Sequence, residues 1–142
     1  MTRTILRWLL AIVYGIAGCA HIVIPEPFLY ITPVWVPFPE AVIFWTGIAE
    51  IIGAVALAQP FWPKLRRWGA WGLAAYAVCV FPANINHFIL FLTAGHADML
   101  EQSGRLGIGY HIARMLAQPL IIWLSLWTGG VTDWPFRRRP SN

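Results

Sequence analysis

Charge is scarce in this 142-residue chain: Asp, Glu, Lys and Arg together make up 11% of it, against about a quarter in ordinary soluble domains. That scarcity argues against a water-soluble enzyme built round one enclosed core. Catalytic signatures are missing as well. GxGxxG, GxxxxGK[ST], GxSxG and HExxH do not occur, so a nucleotide enzyme or a triad hydrolase has no support. Cys19 and Cys79 are the two cysteines and share no CxxC spacing, which leaves no disulfide framework and makes them small apolar packing residues. No low-complexity tract or long linker divides the chain, so residues 1–142 read as a single domain. Disorder is excluded by the opposite excess, because 58% of the residues are hydrophobic and would collapse.

What is present is four stretches almost free of charge: Ile5–Ile24, Ala41–Ala58, Trp68–Leu92 and Ile108–Thr128. Arg7, Glu50 and Arg114 are the formal charges inside them. A backbone in lipid must satisfy its own hydrogen bonds, and runs of about 20 residues suffice to cross. The expected fold is therefore all-α, an integral membrane four-helix bundle. Arg3, Arg7, Lys64, Arg66, Arg67, Arg137, Arg138 and Arg139 fall on one side of that weave, and Arg105 stands with Glu26, Glu40, Asp98 and Glu101 on the other. This bias places both termini in the cytoplasm of a cell with a bacterial-type inner membrane, crossed in several passes. The basic tail 135–142 reads as an anchor to anionic lipid and not as a nucleic-acid contact. Trp8, Trp62, Trp68, Trp127 and Trp134 lie near the inner boundary, Tyr30, Trp35 and Tyr110 near the outer. Ile16-Ala17-Gly18-Cys19 resembles a lipoprotein processing site, but the apolar run continues through Ile22, Val23 and Ile24, so the segment reads as an uncleaved span.

The connection 25–40 holds Pro25, Pro27, Pro33, Pro37 and Pro39 among large apolar residues. No regular helix is expected there, and the segment should lie on the outer membrane surface or cap the bundle. The loop 93–107 is polar, with a helical turn expected over 97–102 and a solvated His96. Gly47, Ala49, Gly53, Ala54 and Ala56 in the second helix, and Gly69, Gly72, Ala75 and Ala83 in the third, would let neighbours approach closely. Pro82 interrupts the third helix and frees a carbonyl, while Pro119 bends the fourth.

The residues that are costly in lipid are His21, Glu50, Asn84, Asn86, His87, His111, Arg114 and Gln118. Counted along their helices, all fall within about 15 Å of the outer ends, and polar groups in a membrane face the interior. A polar pocket in the outer half is the expected result. His111, Arg114 and Gln118 follow an i, i+3, i+7 stripe on one helix face. Glu50 and Arg114 are expected to pair, either as a structural lock alone or as a pair that also serves a ligand. Asn84 and Asn86 flank Pro82 and are expected to satisfy backbone groups. His21, His87 and His111, with Glu50, have the chemistry of iron, zinc or copper ligands. No HxxxH or ExxH spacing fixes two of them on one face, so no metal is expected.

At these residues the chain resembles the DoxX-like membrane proteins. The matching pieces are Ala17-Gly18-Cys19-Ala20-His21 followed by Pro25, Ile31-Thr32-Pro33-Val34-Trp35-Val36-Pro37, Thr46-Gly47-Ile48-Ala49-Glu50-Ile51-Ile52-Gly53, Phe81-Pro82-Ala83-Asn84-Ile85-Asn86, and Arg114 with Gln118. The similarity runs from about His21 to Gln118 and does not carry His87 or His111. It implies a compact four-helix inner-membrane protein, related to a subunit associated with thiosulfate:quinone oxidoreductase and to partners in redox and thiol-stress complexes. The function expected from residues and resemblance together is a redox-associated or quinone-interacting membrane subunit. Its partners would be the lipid bilayer and a redox protein, with a homo-oligomer left open and no nucleic acid. The alternatives are a non-catalytic membrane scaffold, or a small-solute carrier. The carrier is suggested by a loose echo between His21 and His87 and between Ala49-Glu50 and Ala113-Arg114 at nearly equal spacing.

Overall fold

The computed structural model describes residues 1–93 and 107–136. His96, the turn expected over 97–102 and the arginines at 137–139 lie outside the described residues. Among the described residues the chain is all helical. Four long helices, α1 (Thr2–Val23), α3 (Pro39–Ala58), α4 (Pro63–Thr93) and α5 (Ile108–Gly129), are accompanied by a short α2 (Glu26–Ile31). At 1.5 Å per residue, α1, α3 and α5 are about 30 Å long. The helix ends carry signals that are readable in sequence. Pro39 and Pro63 open α3 and α4, where a missing N–H costs nothing. Gly130, at φ 83°, closes α5. The Gly130 N–H reaches the Trp127 carbonyl at 3.2 Å and the Val131 N–H the Leu126 carbonyl at 2.9 Å, an αL cap that suits glycine.

The connection 25–40 corrects one expectation. Five prolines were expected to exclude any regular helix, yet Glu26–Ile31 is helical. Pro25 sits at its N-cap and Pro27 in its first turn, the positions where proline is tolerated.

The long helices meet in the ring order α1–α3–α4–α5, with α1 touching α5 to close it and α2 resting on α3 and α4. The first closure rests on two glycines. A Cβ added to Gly18 would come within 2.6 Å of the Gly47 carbonyl oxygen, and one added to Gly47 within 2.8 Å of the Gly18 carbonyl oxygen. The backbones of α1 and α3 are in contact there, which only a residue without a side chain permits. Below that crossing, Leu10, Ala11, Tyr14, Ala54, Leu57, Ala70 and Leu73 form the packed core.

At the α1–α5 closure Arg3 donates from Nε to the Trp127 carbonyl at 2.6 Å, from Nη2 to the Thr132 carbonyl at 3.2 Å and from Nη1 to Asp133 at 2.8 Å. Its guanidinium also lies over the Trp127 ring at 5.1 Å. The distribution of polarity is inverted relative to a soluble domain. His21, Glu50, His87, His111, Gln118, Ser125 and Thr128 are buried, whereas Ile12, Ile16, Trp45, Ile52, Trp71, Val78 and Leu116 are exposed. Helices α1, α3 and α4 are long and apolar enough to cross a membrane. Helix α5 matches them in length but carries His111, Arg114, Gln118 and Pro119.

Replacing Gly47 by Leu is expected to force α1 and α3 apart and to cost about 1–3 kcal/mol, as overpacking does. Gly72→Ala, where an added Cβ meets nothing within 4 Å, is expected to be neutral or slightly stabilising through helix propensity. Thermal unfolding of both variants in detergent checks the contrast.

Candidate functional site

Gly18 and Gly47 each lie three residues before a buried ionisable group, so the glycine crossing also sets the first part of the site. In this antiparallel pair His21 packs against Gly47 and Glu50 against Gly18, one on each side of the crossing, and their side chains meet with His21 Nδ1 2.9 Å from Glu50 Oε2. Only 3% of Glu50 and 7% of His21 remain exposed. The two atoms are at ion-pair distance without the alignment of a hydrogen bond, and neither has another hydrogen-bond partner. So short a contact requires a proton on one of the two. The His21 ring also packs edge-on against Phe28 of α2, with centroids 3.9 Å apart. From α4, the Tyr76 hydroxyl approaches the same carboxylate.

The second part of the site is built between α4 and α5. Arg114 Nη1 lies 2.8 Å from His87 Nδ1 and donates to the Tyr110 hydroxyl at 3.1 Å. Its Nη2 donates to Asn84 Oδ1. A guanidinium stays protonated and can only donate, so His87 accepts at Nδ1 and keeps its proton on Nε2. Asn84 passes the chain on, its Nδ2 donating to Gln118 Oε1 at 2.9 Å, and Gln118 Nε2 donates to the Ala77 carbonyl. The carbonyl left without its N–H by Pro82 is that of the neighbouring Val78, so the Ala77 carbonyl accepts from Gln118 as a side-chain bond to the helix backbone. Asn86 is used elsewhere, donating to the Ile31 carbonyl at the end of α2 at 3.0 Å.

The expected Glu50–Arg114 ion pair is not formed. Glu50 is paired with His21, and Arg114 is held by neutral acceptors and by the Tyr110 ring at 5.4 Å. Both charges nonetheless line one cavity of about 530 Å³, together with His21, Asn84 and Gln118. Its remaining wall is largely apolar, with Leu9, Val13, Val80, Ile121 and Leu124 among its residues, and Phe28, Pro33, Trp35 and Val36 from the proline-rich connection also face it.

Of the eight residues expected at the pocket, Asn86, His87 and His111 are not on this wall. His87 supports Arg114 from behind. His111, 1% exposed, is packed against His87, Phe88 and Phe91 with ring centroids 4.7, 5.7 and 4.4 Å away, and its Nε2 has no partner. Among the described residues no three His, Cys, Asp or Glu are grouped to hold a metal. His21 stands with Glu50 and His87 with His111, so the three-histidine set is divided.

Tyr14, Thr46 and Tyr76 also line the cavity and were not singled out from sequence. Two had a readable signal: Tyr14 is seven residues before His21, and Tyr76, Val80 and Asn84 repeat every four, each set on one helix face. Chemically, the arrangement offers a proton-carrying carboxylate–imidazole pair, a fixed cation and phenol hydroxyls at the polar part of an otherwise apolar chamber.

A family model described as a domain of unknown function (DUF8561) matches residues 10–128. No curated protein and no solved structure matches the chain.

Replacing Asn84 by Leu removes the acceptor for Arg114 and the donor to Gln118 together. A loss of about 1–3 kcal/mol is expected, the cost of leaving buried polar groups unsatisfied. Denaturant unfolding followed by helical circular dichroism measures it.

Proposed function

The chain belongs to this family of unknown function (DUF8561), and from its own residues we propose a membrane-spanning four-helix bundle, similar to the DoxX-like proteins, whose cavity binds a quinone-type amphiphile. In this reading the protein is a redox-associated membrane subunit. The observation that carries the proposal is the division of the cavity, with His21, Glu50, Asn84, Arg114 and Gln118 on an otherwise mostly apolar wall. A volume of about 530 Å³ is of the size that takes small-molecule ligands. Arg114 and Tyr76 would donate to a ring carbonyl. The Glu50–His21 pair would accept from a ring hydroxyl and hold or release its proton. The tail would lie along Leu9, Val13, Ile121 and Leu124. A quinone supplies two-electron, two-proton chemistry, and the electrons would pass to a partner protein.

Membrane insertion is supported by the exterior. Exposed Ile, Leu, Val and Trp side chains occur along α1, α3, α4 and α5, far more apolar surface than a soluble monomer shows. The polar stripe of α5 would face inward, which lets this helix cross with its charge satisfied. Arg3, Arg7, Lys64, Arg66 and Arg67 would then mark the cytoplasmic side of an inner membrane. A reporter active only in the cytoplasm, fused after residue 142, is expected to be active, and a periplasmic reporter at the same position silent.

Titration of the purified chain with a short-tailed quinone is expected to saturate. Glu50→Gln should weaken that binding by about tenfold, one lost charge-assisted hydrogen bond, with helicity retained. Indifference of the intact protein to quinone overturns the reading. The scaffold alternative is supported by the Arg114–Asn84–Gln118–Ala77 chain, which satisfies itself without a ligand. It predicts instead that Glu50→Gln unfolds the protein and that wild type binds nothing.

A further inference from the structure

At the end of the molecule opposite α2, the starts of α1 and α4 and the close of α5 come together. Arg3 of α1 bonds the Trp127 carbonyl near the end of α5. Arg3, Arg7 and Arg67 all lie close enough to Arg66 to repel it. Helix N-termini carry partial positive charge and favour acids, yet neither α1 nor α4 has an acidic residue in its first turn. Lys64, Arg66 and Arg67 occupy the start of α4 instead. Among the described residues the carboxylate ion-paired in this region is Asp133, and it is taken by Arg3 at 2.8 Å. Arg3, Arg7, Lys64, Arg66 and Arg67 thus have one carboxylate partner among the described residues, while the ends of α3 and α5 at this face offset the two helix starts.

The guanidiniums are also not fully used. Arg7 Nε and Arg66 Nε are both buried and have no hydrogen-bond partner. A buried donor without an acceptor is costly, and two from different helices within one positive field call for an anion that accepts from both. Guanidinium edges match phosphate oxygens in geometry as well as charge. Trp8, next to Arg7, and Trp68, two residues after Arg66, are exposed, as rings at the level of lipid headgroups are.

We propose that Arg7 of α1 and Arg66 of α4 form a site for a phosphate oxyanion, supplied by the headgroup of an anionic phospholipid. The lipid source rests on the membrane-spanning reading. The oxyanion chemistry does not, and neither depends on what the cavity holds.

The test titrates the full-length chain in detergent with phosphatidylglycerol, phosphatidylcholine and inorganic phosphate, reading bound lipid by native mass spectrometry and stability by thermal shift. Saturable binding of phosphatidylglycerol, tighter than of phosphatidylcholine, is expected. R7Q and R66Q should each weaken it by about tenfold, whereas R67Q, an exposed neighbour, should leave it within about twofold. R7K and R66K keep the charge and lose the Nε donor, so they test the site even where a glutamine variant fails to fold, and they too should weaken binding several-fold. Equal losses in R66Q and R67Q, or unchanged binding in both lysine variants, mean diffuse surface attraction and overturn the site. Phosphate that displaces the lipid at similar concentration assigns a free oxyanion, and phosphate without effect assigns the headgroup. Lipid and phosphate both failing to bind overturns the proposal, and quinone titration of the same variants reports separately on the cavity.

Discussion

The contact on which most of this structure depends is between two backbones, not two side chains. Gly18 and Gly47 bring α1 and α3 together until each carbonyl occupies the space a Cβ would need. His21 sits against Gly47 and Glu50 against Gly18, and across that close contact His21 Nδ1 and Glu50 Oε2 stand 2.9 Å apart. With a larger residue at either glycine, the imidazole could not reach the carboxylate, and a nearly fully buried charge would stand alone. The cavity follows from the same crossing. Helices held this close at one level leave room elsewhere, and the polar groups flanking the crossing become part of its wall.

Each buried charge is handled separately. Glu50 is matched by an imidazole and approached by a phenol, whereas Arg114 is surrounded by an amide oxygen, a ring nitrogen and a hydroxyl. Neutral dipoles satisfy the donors of a guanidinium and hold it in place without neutralising its charge. Charges of opposite sign therefore face the same chamber without cancelling each other. The network that holds Arg114 ends on the Ala77 carbonyl, so the backbone of α4 helps position the cation.

The long helices were legible because absence of charge over some twenty residues is a direct physical statement, and Pro39, Pro63 and Gly130 mark ends that propensity alone would blur. The expectation that costly residues gather was legible for the same reason. Pairing was not. Periodicity states which residues share a face, as with His111, Arg114 and Gln118, but not how high one helix stands against its neighbour, and that offset decided for His21 over Arg114 as the partner of Glu50. Rotation of α4 was equally hidden, and it turned Asn84 toward the cavity and left His87 behind it. Short α2 is hidden in the sequence because the number of prolines argues against a helix while their positions allow one: Pro25 and Pro27 fall where a helix begins.

The partners of the two buried charges have a further property in common. Glu50 relies on His21, which precedes it, and Arg114 relies on Asn84, His87 and Tyr110, which also precede it. A chain emerging from the ribosome presents its earlier segments first. Neither charge then has to wait unprotected for a segment still to be synthesised. A Glu50–Arg114 pair would have left the carboxylate without a counterpart until the last helix arrived, so the arrangement adopted suits the timing of biosynthesis as well as the energetics of the finished fold.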